Sequence, residues 1–469
     1  MIIDQTGETD FTKALSVLFF DCLRATSDDR VLILYDSALD DFFEEIVRFL
    51  ISKTFHTTFV EVPNNYQHAL LSWSAAENEP IVPAPLAAAI GEATVILNCL
   101  KLDTAAHRFR RAILETPRLP SCRMAHMPGV STEVFSVLSR TPIQQIVESA
   151  ELVAWALGEG SVAQLVTSQP DGTPLTLEID LGGWTDEPIM STGVIHAGAW
   201  GNIPPAEVFC CPRLGRVNGK VAINGSLPGH VLEHQDAIVL SFTEGKLTSW
   251  EAANSPITEY FDTLRESALQ TSDTNWNVFA ELGIGLNRAI TTLTGNPLLD
   301  EKAYGTVHIA IGDNKAFGRE VASNTHIDMV TVGATLNVNN IDILSNRVVN
   351  LDSIRNWRAD LRLAPIKLDP QSRLLIRRTR ISTERARPLR RLKSGGRIGY
   401  LPLCDASDDL LVKRIVSHLD ETEATTYRKL KEAIQYDRLD EVLALLQHYS
   451  VLEVEADAHS RTIDPRSAR

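Results

Sequence analysis

The chain has no run of eighteen or more apolar residues, so a membrane-spanning helix is not expected. Its first residues, MIIDQTGETDFTK, lack a basic segment followed by an apolar stretch, and no secretory signal is read there. Cysteine is scarce: six in 469 residues, none in a CxxC pair. That is too few for a disulfide framework and argues against a structural zinc site. The adjacent Cys210 and Cys211 cannot easily share one tetrahedral ion, and all six read as reduced packing residues. No GxGxxG follows the first strand-like run, which leaves a nucleotide-binding Rossmann reading without support. Neither an internal repeat nor a low-complexity segment is visible. Basic residues are in deficit, 45 against 60 acids, for a net charge of −15. That balance disfavours nucleic acid as the main partner. The expectation is a cytoplasmic protein with no membrane association.

What is there is ordinary globular material, 44% apolar and 22% charged. At roughly 150 residues per domain, it allows two to four domains. In the first section, short apolar runs at Val31–Tyr35, Thr57–Val62 and Ala93–Leu97 alternate with amphipathic stretches such as DFFEEIVRFLISKTF. This βαβ rhythm predicts a parallel sheet with helices on its faces. The texture changes near residue 150. A helix over about Pro142–Leu157 precedes two alternating runs, Val162–Thr167 and Thr176–Ile179, with a turn at Gln169–Gly172 between them. From there to about residue 345, Gly, Asn and short β-like runs predict an α+β domain.

The last hundred residues differ again. Arg373 to Arg397 holds ten Lys or Arg and one acid, Glu384. Helices are expected over Ser407–Asp420, Glu421–Gln435 and Leu439–Tyr449, followed by the strand-like VLEVE. The pattern suggests a small winged-helix-like module. The expected organisation is therefore an α/β domain at 1–155, an α+β metal-binding domain at 156–365, a basic linker at 366–398, the winged-helix-like module at 399–456 and a disordered tail at 457–469.

Chemistry concentrates in the middle domain. In a strand, residues i and i+2 share a face, so His326 and Asp328 in SNTHIDMV would present an imidazole and a carboxylate side by side. An HxD is also met as an ordinary surface pair. His308 in GTVHIAIGDN lies on a β-run and can equally be a satisfied core histidine. Glu207 in WGNIPPAEVFCCP can be a salt-bridged carboxylate at a strand start. Glu281 in AELGIGLN stands on a backbone that its glycines let turn or approach closely; those glycines can instead end a helix, TNWNVFAEL. Together, two Glu, two His and one Asp form a mixed oxygen and nitrogen ligand set. It suits zinc, manganese, cobalt or iron(II) and can hold two divalent ions if one carboxylate bridges.

At these residues the sequence resembles the M29 family of metallo-aminopeptidases, the aminopeptidase T and aminopeptidase S group. NIPPAEVFCCP, ELGIGLN, DEKAYGTVHIAIGDN and SNTHIDMV follow in the family's order; SQPDGTPLTLEI and CRMAHMPGVSTEVF resemble its upstream segments. The likeness covers most of residues 1 to about 345. It implies a dinuclear site on Glu207, Glu281, His308, His326 and Asp328, a homodimer, and release of N-terminal residues from peptides. Three departures stand out: Ala206 and Gly318-Arg319 replace family glycines, and no Tyr lies between His308 and His326.

For the hydrolytic reading, Glu301 is the candidate general base and Lys302 the oxyanion stabiliser, although Asp300-Glu301-Lys302 can also be a solvated helix turn. Asn202, Asn287 and Asn314 are candidate substrate-binding residues. His126, His196 and His234 read as structural, with His196 a further pocket candidate. The alternative is a non-haem iron(II) oxygenase in which His308, His326 and Asp328 hold one iron. The tail would then, in either case, recognise a dedicated peptide, contact DNA through its basic stretch, or serve packing and dimerisation.

Overall fold

The structure is a computed structural model. It describes residues 10–360 apart from 78–80, 102–106, 183–187, 253–254 and 318, together with 368, 370–376, 411, 414–415, 418–419, 425–436, 439–448 and 452–455. Among the described residues, no helix is long and apolar enough to cross a membrane.

The β-rich runs of the first section, Arg30–Tyr35, His56–Glu61, Val95–Cys99 and Arg123–His126, pair in parallel, as their rhythm predicts. Alternate residues go to opposite faces. Val31, Ile33, Val95, Leu97 and Ala125 enter one buried cluster, while Leu32, Leu34, Ile96 and Met124 enter another. A sheet covered on both sides needs such near-continuous apolar strands. A fifth strand, Trp200–Asn202, joins this sheet beside Arg123–His126.

Two antiparallel sheets carry the middle of the chain. One has eight strands and contains the predicted hairpin, Val162–Ser168 with Pro174–Asp180, closed where the Gly172 N–H donates to Gln169 O at 2.9 Å. The other has seven strands in the order His230–Val231, Ser226–Leu227, His326–Val332, Thr306–Gly312, Phe279–Gly285, Glu207–Cys210 and Ile189–Ser191. Both contribute to one large core with the helix Ile143–Glu159, whose Ile146, Ala150, Val153 and Leu157 repeat at helical spacing.

Several expectations change. The helix Ile143–Glu159 runs across the expected boundary at residue 155, with Ile143 in the first core and Ile146 to Leu157 in the second, and Trp200–Asn202 returns to the first sheet. TNWNVFAEL is not a helix ended by glycines: Phe279–Gly285 is a fully buried strand, with Gly283 and Gly285 inside it. The basic linker does not begin at 366, since Arg373–Ile376 is the central strand of a small antiparallel sheet between Thr425–Thr426 and Leu452–Glu455. The helix expected over Glu421–Gln435 is described only as Tyr427–Ala433, while the next is Leu439–His448, tied to the main body where His448 Nε2 meets Glu159 Oε2 at 2.7 Å. Residues 377–410 and 456–469, with most of the expected basic stretch and the tail, lie outside the described residues. The cysteines among the described residues are buried, and none of them forms a disulfide.

Candidate metal centre

The site is built by one face of the seven-stranded sheet. Odd–even alternation sends Val208, Cys210, Leu282, Ile284, Val307, Ile309, Ile311, Ile327 and Met329 into the core. The intervening residues face the other way. On that face Gly285 is opposite Glu207, Gly283 opposite His308, Ala310 opposite Asp328, and Gly312 opposite His326. A bulge between Phe279 and Glu281 sets Glu281 against Ala310. Every charged or imidazole ligand candidate thus has glycine or alanine as one cross-strand neighbour, although His308 also pairs with Val330 and Glu207 with Ser191.

Two of those glycines have a specific duty. A Cβ on Gly283 would stand 2.1 Å from Cε1 and Nε2 of His308. A Cβ on Gly285 would stand 2.0 Å from the Ala303 carbonyl oxygen, so its absence lets the segment carrying Glu301 and Lys302 approach the sheet.

The five ligand candidates come together as two groups. Glu207, Glu281 and His308 can each offer one atom within 4.8 Å of the others, as can Glu281, His326 and Asp328. Glu281 belongs to both. Its Oε1 lies 3.1 Å from His308 Nε2 and its Oε2 lies 3.6 Å from His326 Nε2. His308 Nε2 is 3.7 Å from Glu207 Oε2, and His326 Nε2 is 3.2 Å from Asp328 Oδ1. The HxD pair does share a strand face, as its spacing predicts. His308, His326 and Asp328 do not form such a group on their own among the described residues.

Glu301 and Lys302 are buried, which removes the solvated-turn alternative. Lys302 Nζ lies 3.2 Å from Glu207 Oε1 and also donates to Glu301 Oε1. Lys302 is the permanently charged cation here, paired with the buried Glu207 and Glu301 carboxylates and acting on the part-buried Asp328.

The titration behaviour follows. Burial pushes the Glu281 carboxyl up, against the pull of His308 and His326. Burial raises Glu301 well above the carboxylate range, with Lys302 opposing and Glu207 and Asp328 adding to the rise. Burial alone would lower both imidazoles, but the neighbouring carboxylates hold His308 up to about 9 and His326 up to about 10. Asp328, which burial would raise, is pulled down to about 2 by His326, His308 and Lys302.

These residues fit divalent cations. The donors are carboxylate oxygens and imidazole nitrogens, Glu281 Oε2 is buried without a hydrogen bond, and one histidine nitrogen is already engaged by the backbone. His326 Nδ1 lies 2.6 Å from the Asp313 carbonyl oxygen, to which it donates, so Nε2 is the ring nitrogen that faces Glu281 and Asp328. Sequence reasoning missed that support. Asp313 is buried, its carboxylate takes Arg111 Nη1 at 3.2 Å and the Ser323 N–H at 3.2 Å, and Arg111 sits on the helix His107–Glu115, some two hundred residues away in sequence. Phe317 also lies edge-on to His326, with ring centroids 5.4 Å apart. The Tyr260 phenol is raised by burial and by the charge of Asp328.

The three asparagines take different positions. Asn287 is fully buried: Nδ2 donates to Thr141 Oγ1 and Pro205 O, and Oδ1 accepts from the Ala289 N–H, so its amide braces the backbone beside the site. Asn314 Oδ1 accepts from the Val321 N–H and closes the loop before His326. Asn202 ends the fifth strand of the parallel sheet, five residues before Glu207.

The profile described as thermophilic metalloprotease (M29) matches residues 143–341. That span contains all five ligand candidates together with Glu301 and Lys302. No curated protein matches the chain. Among solved structures, the chain is similar to 2,5-dihydroxypyridine dioxygenase from Pseudomonas putida KT2440, with 16% identity, a TM-score of 0.57, and coverage of 74% of this chain and 99% of that one. It is also similar to wild-type AmpT from Thermus thermophilus, with 15% identity, a TM-score of 0.47, and coverage of 70% and 94%. At such identity the dioxygenase likeness shows a shared fold.

Proposed function

We propose that the chain is a metal-dependent hydrolase that removes N-terminal residues from peptides. The observation that carries this reading is Glu281, shared between two ligand groups, one with Glu207 and His308, the other with His326 and Asp328. The match of residues 143–341 to the M29 metalloprotease profile supports it. Zinc, manganese or cobalt suits the donors. Two such ions, when bound, polarise a carbonyl and make a water acidic enough to act as nucleophile near neutral pH.

The chain's own groups do the rest. Glu301 is buried beside Lys302 with its carboxyl pKa raised by burial, which suits a proton-transferring group. Lys302 is held by Glu207 and Glu301, where its fixed charge would stabilise negative charge growing on a carbonyl oxygen. The oxygenase alternative needs His308, His326 and Asp328 around one iron. The geometry instead divides the two histidines between two ligand groups that share Glu281, which favours hydrolysis.

Dialysis against a chelator, add-back of single metals and assay on N-terminally free peptides test the proposal. Metal-dependent release of amino acids is expected, and Glu301→Gln should lose roughly 10²–10⁴-fold in rate while keeping its metal. No metal-dependent release from any peptide would overturn it, and one iron per chain with oxygen uptake would replace it by the oxygenase. A homodimer and peptide recognition by the C-terminal region belong to the same proposal; sedimentation and peptide pull-down with the full chain test them.

A further inference from the structure

A cavity of about 520 Å³ lies outside the metal centre, where the helix His107–Glu115 meets the loops at 271–275 and 322–324. Its walls continue three of the strands that carry ligand candidates. Residues 271–275 lead into Phe279–Gly285, Lys315 follows Thr306–Gly312, and residues 322–324 lead into His326–Val332. The cavity therefore stands at the His326 end of the sheet, and its volume is that of a small-molecule site.

Two cations line it with donors to spare. Arg111 donates from Nε to Glu115 Oε1 at 2.9 Å and from Nη1 to Asp313 Oδ1 at 3.2 Å, so its guanidinium is held in place at two corners. Its Nη2 has no partner among the described residues. Lys315 Nζ likewise makes no hydrogen bond or ion pair among the described residues. A fixed guanidinium and an ammonium on one cavity suit the oxygens of a carboxylate or a phosphate. The acids of the same wall decide between these. Asp273 accepts from the Asn275 N–H at 3.0 Å, from Ser323 Oγ at 2.7 Å and from the Asn324 N–H at 2.7 Å, so it ties the two loops together and contributes only its charge. Glu115 gives Oε1 to Arg111, and its Oε2 has no partner among the described residues. Two cations against two acids leave the lining without net charge, which disfavours a doubly charged phosphate. A single carboxylate finds Arg111 and Lys315, and an ammonium beside it finds Glu115.

We propose that this cavity binds an α-carboxylate, that of a free amino acid or of a peptide C-terminus, on Arg111 Nη2 and Lys315 Nζ. The bound anion would sit on the guanidinium that also holds Asp313, whose carbonyl oxygen engages His326. Nothing in this site requires that the chain be a peptidase.

Calorimetric titration of the purified full chain with leucine, leucinamide, N-acetyl-leucine and N-acetyl-leucinamide tests the site. N-acetyl-leucine presents the carboxylate of a peptide C-terminus and has no free amine. At least one acid is expected to bind at least tenfold more tightly than its amide, and Lys315→Ala and Lys315→Glu should each weaken that acid at least tenfold. Lys315 is exposed, so neither change threatens the fold. Binding of N-acetyl-leucine assigns the cavity to a peptide C-terminus, and binding of leucine alone assigns it to a free amino acid. Acids that bind no better than their amides, or do not bind at all, overturn the site. So does acid binding that survives both Lys315 variants, as it would at a metal ion. Inorganic phosphate that binds more tightly than either acid overturns the carboxylate assignment.

Discussion

Gly283 lies directly across the sheet from His308, and a methyl group on it would stand 2.1 Å from the imidazole. His308 is itself fully buried, so the ring has no free space into which to retreat. Gly283→Ala should therefore turn Nε2 away from Glu207 and Glu281. The expected result is a folded protein, destabilised by roughly 1–3 kcal/mol as overpacked cores are, that loses metal from the His308 group. Elemental analysis against thermal melting checks it; a variant with full metal content would contradict this account of the glycine.

Sharing of Glu281 makes stoichiometry a sharp readout. Glu281→Ala removes a donor from both ligand groups, whereas Glu207→Ala removes one from the His308 group alone. Two bound ions should fall toward none in the first variant and to one in the second. Equal losses in the two would show that Glu281 does not bridge.

Arg111 supports His326 from another part of the chain. Its guanidinium holds the Asp313 carboxylate, and the Asp313 carbonyl oxygen fixes His326 Nδ1. Outer partners of metal-binding histidines typically contribute 10–100-fold in affinity. Arg111→Ala should weaken one of two metal-binding steps by about that factor, and Arg111→Lys should restore part of it. A titration that shows both steps unchanged would reduce Arg111 to a surface ion pair.

Protons and metal compete for the same nitrogens. With His308 held up to about 9 and His326 up to about 10, both imidazoles of the stripped protein are protonated at pH 7. Metal binding at pH 7 should then release protons, and affinity should rise up to about pH 9–10. Calorimetry in buffers of different ionisation enthalpy measures the release. The stability sign follows from linkage: both folded pKa values lie above the unfolded value of about 6.5. Their contribution is full below about pH 6.5 and is lost as pH rises through 9 to 10. The stripped protein should melt lower at pH 10 than at pH 7, and a flat profile would contradict the assigned charges.

Much of this was legible in the sequence, for a definite reason. Strand periodicity of two is local, so His326 and Asp328 share a face wherever HID is extended, and the apolar alternation in GTVHIAIG marks His308's strand. The parallel sheet and the hairpin around Gln169–Gly172 are legible for the same cause. What periodicity cannot carry is register between strands far apart in sequence. It could not tell that Gly283 would face His308, or that Glu281, beside a bulge, would fall between two histidines. It left ELGIG readable as a helix end, because a fully buried strand shows no polar alternation.

The sequence by itself determined which side chains could bind a metal and which strands would carry them, since composition and period-two patterning are properties of short segments. Only the tertiary structure decided how they divide. Antiparallel pairing over some 120 residues of chain placed Glu281 between two ligand groups and buried Lys302 against Glu207 and Glu301, and packing of a helix some two hundred residues away brought Arg111 to Asp313. Parallel pairing in the first sheet aligned Asn98, His126 and Asn202, which come from three separate segments and share nothing in sequence except their places near the ends of neighbouring strands.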